Sequence, residues 1–295
     1  MPSFKGRKTV TTMYETLLSS LLITFRETLE AALIVTIMIT YLRKTGKEEY
    51  SGYAYGGVGA ALLLSLLLGY GVQAVYGSLG ETQSQVFEGV ASLTAVIVLT
   101  YMIMWMSGHG REIKGSLESK MDISLSQGEL LGIAFLAFIA VFREGLETVL
   151  FLSAAFVQDS SGTIVGVISG SGVVLVLSVL LMKGTVNLEI SKFFKVSNVL
   201  LIILAAGLAG YGVHELIEAG EGIGVNIGWW AQKPFNINPP INLDGSYPFL
   251  HEKGVIGSIL KTLVGYDGDP EWLRILVYLG YWSIVGFFLL RKSRN

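Results

Sequence analysis

The chain has 295 residues, 52% hydrophobic and only 15% charged, with a formal net charge of -2, three histidines and no cysteine. An average soluble domain carries about 25% charged residues, so this shortage of charge argues for a chain solvated largely by membrane lipid. The missing cysteines exclude disulfide frameworks and thiolate metal sites, and the near-neutral balance offers no basic surface for nucleic acid.

Taken in chain order, hydropathy predicts seven helices, at about 17–42, 53–77, 85–107, 130–157, 162–183, 193–217 and 272–290. Each window is long enough to cross a hydrocarbon core roughly 30 Å thick. The basic start, MPSFKGRKTVTTMYETLL, leads into no small-residue cleavage signal, so the first apolar segment is expected to be retained. Ser126 with Glu129 three residues on resembles a capping box and marks the start of the fourth helix. The connections are short except for 219–271, which is rich in Gly, Pro and Asn and carries Trp229 and Trp230. Its apolar positions Ile256, Ile259, Leu260, Leu263 and Val264 suit a helix lying along the membrane interface.

An odd number of spans puts the termini on opposite sides. One side collects Arg43, Lys44, Lys47, Arg111, Lys114, Lys120, Lys183, Lys192, Lys195, Arg291, Lys292 and Arg294. The short loops of the other side, 78–84 and 158–161, hold Glu81 and Asp159 and no Lys or Arg. The positive-inside rule therefore puts the C-terminus in the cytoplasm and the N-terminus outside, with only Lys5, Arg7 and Lys8 opposed.

Two segments break the apolar pattern. FRETLEAAL, from Phe25 to Leu33, and FREGLETVL, from Phe142 to Leu150, share Phe, Arg, Glu, Leu, Glu and Leu in one register. Three spans separate them, so the second copy is expected to run the opposite way across the bilayer, the sequence form of an inverted repeat. The expected architecture is all-α: a single transmembrane domain of repeat one (17–107), repeat two (130–217), an extracytoplasmic loop and a final helix outside the repeat.

Charges at a helix centre cost about 2.5–3.5 kcal/mol each on insertion scales, on the order of 8–10 kcal/mol per motif before pairing. Glutamates at i and i+3 are about 60° apart around a helix, so Glu27 with Glu30 and Glu144 with Glu147 can aim at one midplane point. Arg26 and Arg143 lower the formal charge of four carboxylates only to two negative, and a cation or protons would complete the set. All-oxygen donors suit hard cations such as Mg, Ca, Mn and ferric iron, and the spacing does not choose among them. A proton relay is the rival use, and Arg–Glu pairing as helix glue is the structural one. A membrane di-iron oxidoreductase would commonly place histidine three residues after a glutamate, and neither motif does.

Glu88, His214 and Glu215 are candidates for an access path or auxiliary ligands, against a plain role as interface residues, and Glu218 is expected to snorkel toward water. Met102, Met104 and Met106 read as core filler. Gly52 with Gly56, and Gly166 with Gly170, have the spacing of close helix contacts.

FREGLETVL and FRETLEAAL resemble the paired Arg-Glu-x-x-Glu motifs of the oxidase-dependent iron permease family, which includes fungal high-affinity iron permeases and bacterial EfeU-type transporters. The resemblance extends to FEG at Phe87 to Gly89 and GYGVHELIEAG at the end of the sixth helix. It implies import of an iron ion as substrate across the cytoplasmic membrane, with Glu27, Glu30, Glu144 and Glu147 as iron ligands and Arg26 and Arg143 as their charge partners. It also implies a separate iron oxidase or extracytoplasmic iron-delivery protein, with ferric iron held by the motif glutamates. No organic cofactor is expected, since the chain carries no heme or copper signature; manganese or calcium remains the alternative cargo.

Overall fold

The computed structural model describes residues 4–109, 113–126, 130–182, 190–242 and 246–293. Among these there are nine α-helices and no strand: α1 (Phe4–Lys44), α2 (Ser51–Tyr76), α3 (Glu81–His109), α4 (Ile113–Ser126), α5 (Leu130–Gln158), α6 (Ser160–Met182), α7 (Ile190–Gly222), α8 (Val255–Val264) and α9 (Trp272–Ser293). All seven predicted helices are present as α1, α2, α3, α5, α6, α7 and α9. Glu129 of the capping box and residue 183, the expected end of α6, lie outside the described residues.

Helix α1 begins well before residue 17, because hydropathy reports compatibility with lipid whereas backbone hydrogen bonding continues into the polar segment ahead of it. It stops at a glycine. Gly46 has φ +70°, its N–H bonds Arg43 O at 3.2 Å and the Lys47 N–H bonds Leu42 O at 2.8 Å, the double closure of a Schellman motif. The charged connection between α3 and α5 folds as α4, which the hydropathy missed. Its signal was the stripe Leu117, Met121 and Leu125, and Met121 is fully buried against Met38, Leu42 and Ile133.

Among the described residues, five helices or parts of them are long and apolar enough to cross a membrane: Glu48–Tyr76, Glu81–Met104, Ser160–Val179, Val196–Gly222 and Trp272–Leu289. Apolar side chains that would be stranded in water, such as Leu63, Leu66 and Tyr70 of α2, lie exposed on them. Helices α1 and α5 have the length but carry three central charges each.

Helix α1 packs along α6, α2 along α5, and α3 along α7. The first two pairs run parallel. A Cβ on Gly166 would stand 2.6 Å from Leu17 O, and one on Gly170 would stand 2.8 Å from Leu21 O. On the other pair, a Cβ on Gly57 would stand 2.0 Å from Ala134 O, and one on Gly145 would stand 2.0 Å from Ser65 Oγ. Only hydrogen fits at such approaches. The expectation for Gly52 and Gly56 is corrected: neither meets any atom within 4 Å of such a Cβ, and the contact belongs to Gly57. The pair α3 and α7 runs antiparallel, with Gln85 bonded to Glu218 and Gly89 against Gly212.

The main core joins Ile23 of α1, Leu99 and Met102 of α3, Phe151 of α5, Ala205 and Ala206 of α7, and Tyr281 and Val285 of α9. Met102 is core as expected, Met104 is 40% exposed, and the Met106 side chain lies outside the described residues. Helix α8 packs on α1 and α7 while Ile256 and Ile259 stay exposed.

Candidate metal site

The two motifs meet where α1 and α5 touch, each near the middle of its helix. Oxygens of Glu27, Glu144 and Glu147 lie within 4.8 Å of one another, with Glu27 and Glu144 almost completely buried. Glu30 stands outside this trio. Arg26 draws it aside, with Nη2 2.6 Å from Glu30 Oε1 and Nη1 2.5 Å from Glu27 Oε1. Where four carboxylates were expected to converge, three lie within this distance, and Glu30 stays with Arg26. Arg143 repeats the pattern more loosely: 2.6 Å from Nη2 to Glu144 Oε1 and 3.6 Å from Nε to Glu147 Oε1.

Each arginine thus satisfies one oxygen and leaves another. Oε2 of Glu27, Glu144 and Glu147 is buried in all three cases, with no hydrogen-bond partner among the described residues. Unpaired carboxylate oxygens are costly in a low-dielectric interior, and three carboxylates this close to one another need a cation or protons between them. Met102 supports the site from α3 with its sulfur 3.4 Å from Arg26 Nη2. Sequence reasoning did not assign it this contact, because nothing in the α3 pattern marks which methionine faces α1.

A second polar cluster sits at the end of α7. His214, Glu215 and Glu218 bring ligand-type atoms within 4.8 Å of one another. His214 Nε2 lies 3.4 Å from Glu218 Oε1, and Nδ1 lies 2.9 Å from Glu271 Oε1. Glu88 is not part of this group. It is buried on α3, where its two oxygens accept hydrogen bonds from Tyr76 at 2.9 Å and from Tyr211. Met102 is fourteen residues further along α3, roughly 21 Å at 1.5 Å per residue. Glu218 is half exposed, yet Gln85 and His214 both hold it, so it is not simply reaching for water.

A third acidic group, Glu252, Asp267 and Asp269, belongs to the long connection. Here every acid has its own base: Arg274 on Asp267, Lys233 on Asp269 at 2.8 Å and Lys253 on Glu252 at 3.6 Å. Burial pushes the Asp267 carboxyl up, but the Arg274 guanidinium and a hydrogen bond from the Asp269 N–H outweigh it and hold Asp267 below its ordinary value. Glu271 is likewise raised by burial and lowered more by the His214 hydrogen bond and charge. Glu271 and Arg274 were missed in the sequence, although an arginine in the apolar run WLRILVYL was a readable signal.

The chain is similar along almost its whole length to known proteins. It matches the Iron permease FTR1 family over residues 17–291. It is 37% identical over 265 residues to an uncharacterized protein of Archaeoglobus fulgidus, covering 90% of this chain and 91% of that one. It is 35% identical over 277 residues to the "Ferrous iron permease EfeU" of Yersinia pestis, covering 92% of this chain and 93% of the relative. The protein of the same name from Escherichia coli is 33% identical over 273 residues, covering 91% and 94%. No solved structure matches the chain. The chain belongs to the Iron permease FTR1 family.

Proposed function

We propose that this multi-pass membrane protein is an iron permease that imports iron across the cytoplasmic membrane through the carboxylate site between α1 and α5. Family membership supports iron as the cargo, and the relatives' names specify ferrous iron. The observation that carries the site assignment is the trio Glu27, Glu144 and Glu147 with three buried, unpartnered oxygens. Glu30 joins as a fourth donor once an ion competes with Arg26. No organic cofactor is needed for such a passage.

Seven spans and an inverted repeat complete the reading, with α1 and α5 crossing the bilayer because their charges satisfy one another. The helix pairing supports it. Adding 117 to Leu17 and Ser20, the α1 contacts of Gly166, gives Ala134 and Ala137, the α5 contacts of Gly57. Each repeat thus lays its first helix along the second helix of the other, with α3 and α7 on the pseudo-axis. Helix α6 follows α5 after one residue and runs parallel to α1, so α1 and α5 are antiparallel.

With the N-terminus outside and the C-terminus in the cytoplasm, Arg26 lies on the outward side of the carboxylates and Arg143 on the inward side. The Arg26 side chain is 1% exposed and that of Arg143 47%, the pattern of a site sealed outward and accessible inward. Alternating access would exchange those exposures. Glu88, His214 and Glu215 line the access path, and a separate oxidase or delivery protein supplies the ion at that surface.

Glu27→Gln and Glu144→Gln are each expected to abolish iron uptake into sealed vesicles while the protein remains inserted. Offering ferrous, ferric, manganese and calcium ions in the same assay identifies the cargo. Retained iron uptake in both variants would refute the central site.

A further inference from the structure

We propose a second cation site at the outer end of α7, in which His214 Nε2, Glu215 and Glu218 bind a divalent first-row metal ion and Glu271 positions the imidazole. The proposal rests on the reading of the chain as an iron importer and gives the access path a discrete loading station.

The donor set is already assembled, with ligand-type atoms of the three residues within 4.8 Å of one another. His214 and Glu218 share a helix face at i and i+4, and Glu215 adjoins them. Glu271, from the start of α9, places Oε1 2.9 Å from His214 Nδ1. A carboxylate on the distal ring nitrogen is the usual backing of a metal-bound histidine: it fixes the tautomer with the proton on Nδ1 and presents Nε2 as a donor. Glu271 is only 4% exposed, and its second oxygen is buried without a hydrogen-bond partner among the described residues. The carboxylate also feels the Arg274 charge, but its open oxygen is left without a donor. No Lys or Arg ion-pairs with His214, Glu215 or Glu218 among the described residues, unlike the third acidic group, where each acid has its own base.

Access and chemistry fit a station rather than an end point. The Glu218 side chain is 47% exposed and that of His214 24%, so water reaches the site, whereas Glu27 and Glu144 are closed off. Glu88 lies beside Tyr211, less than one turn of α7 inward of His214, as the next carboxylate on the way to the center. One imidazole with two carboxylates suits ferrous iron or manganese, while the central trio offers oxygen alone.

The test uses the full chain in lipid nanodiscs, with manganese(II) as a paramagnetic probe read by pulsed electron paramagnetic resonance. In Glu27→Gln/Glu144→Gln protein, one manganese ion is expected to remain bound and to show nitrogen coupling from an imidazole. Adding His214→Asn should remove that coupling, and Glu271→Gln alone should weaken manganese binding about 10- to 100-fold. In the otherwise unchanged chain, His214→Asn should raise the KM for iron uptake about tenfold, the lower end of the same range, while oxygen-only manganese binding at the centre reports that the protein is folded. Manganese bound without nitrogen coupling, or coupling that survives His214→Asn, overturns the proposal. Failure of the central site would show instead as iron uptake by Glu27→Gln/Glu144→Gln protein, with the nitrogen coupling intact.

Discussion

The two motif helices carry the same six residues in the same register, yet their surroundings differ. In α1 the Arg26 side chain is 1% exposed, gripped by Glu27 and Glu30 and touched by Met102. In α5 the Arg143 side chain is 47% exposed, and its contact with Glu147 has lengthened to 3.6 Å. The motif residues are the same in both helices, so the difference comes from what surrounds them: Met102 of α3 touches Arg26, whereas Ile139 and Leu146, on either side of Arg143 in the chain, are exposed. Equal local sequence therefore gives equal chemistry but unequal burial, and burial sets what each charge costs and how far it can move.

The sharpest way to break this comparison is to remove the two arginines in turn. Arg26→Ala leaves two buried carboxylates uncompensated and is expected to cost about 3–5 kcal/mol, seen as a large drop in unfolding temperature in detergent and in yield from membranes. Arg143→Ala removes a half-exposed partner, which limits the loss, but leaves the buried Glu144 without it, and should cost less than Arg26→Ala, about 1–3 kcal/mol. Arg26→Lys should fall between, because a point charge survives and the fork that spans Glu27 and Glu30 does not. Equal losses for the two alanine variants would mean that the asymmetry is not a property of the protein in its membrane.

Next in size is the packing that puts the motifs face to face. Gly166→Leu and Gly57→Leu drive a side chain into the neighbouring helix and should destabilise by about 1–3 kcal/mol each, by similar amounts if the repeat is as proposed. Gly52→Leu, on the open face of α2, serves as the neutral control. Thermal unfolding in one lipid composition would separate these, and a Gly52→Leu loss matching the other two would count against the pairing.

The smallest effect is expected outside the membrane. Asp267 and Glu271 are held below their ordinary carboxylate values by Arg274 and His214, so their stabilisation is present above the unfolded pKa and lost as pH falls through the folded one. Hydrogen exchange in 232–271 should accelerate as the pH drops below about 4, and Arg274→Ala should move that acceleration to higher pH.

The sequence by itself determined a great deal. Composition and hydropathy located all seven long helices, and the repeated FRE-x-LE register marked the six charged residues that meet between α1 and α5, because a charge in an apolar run is expensive enough to be informative. Tertiary structure decided the rest. Only packing shows that Gly57 rather than Gly52 or Gly56 meets α5, since all three have the same backbone and differ in the face they present. Only the packing of α1 on α5 separates four equivalent carboxylates into a trio and Glu30, which stays with Arg26. And only the fold-back of the long connection brings Glu271, fifty-seven residues away, onto His214. Local pattern fixes which helix face is polar; which distant group faces it depends on how the helices pack, and no periodicity in one segment encodes that.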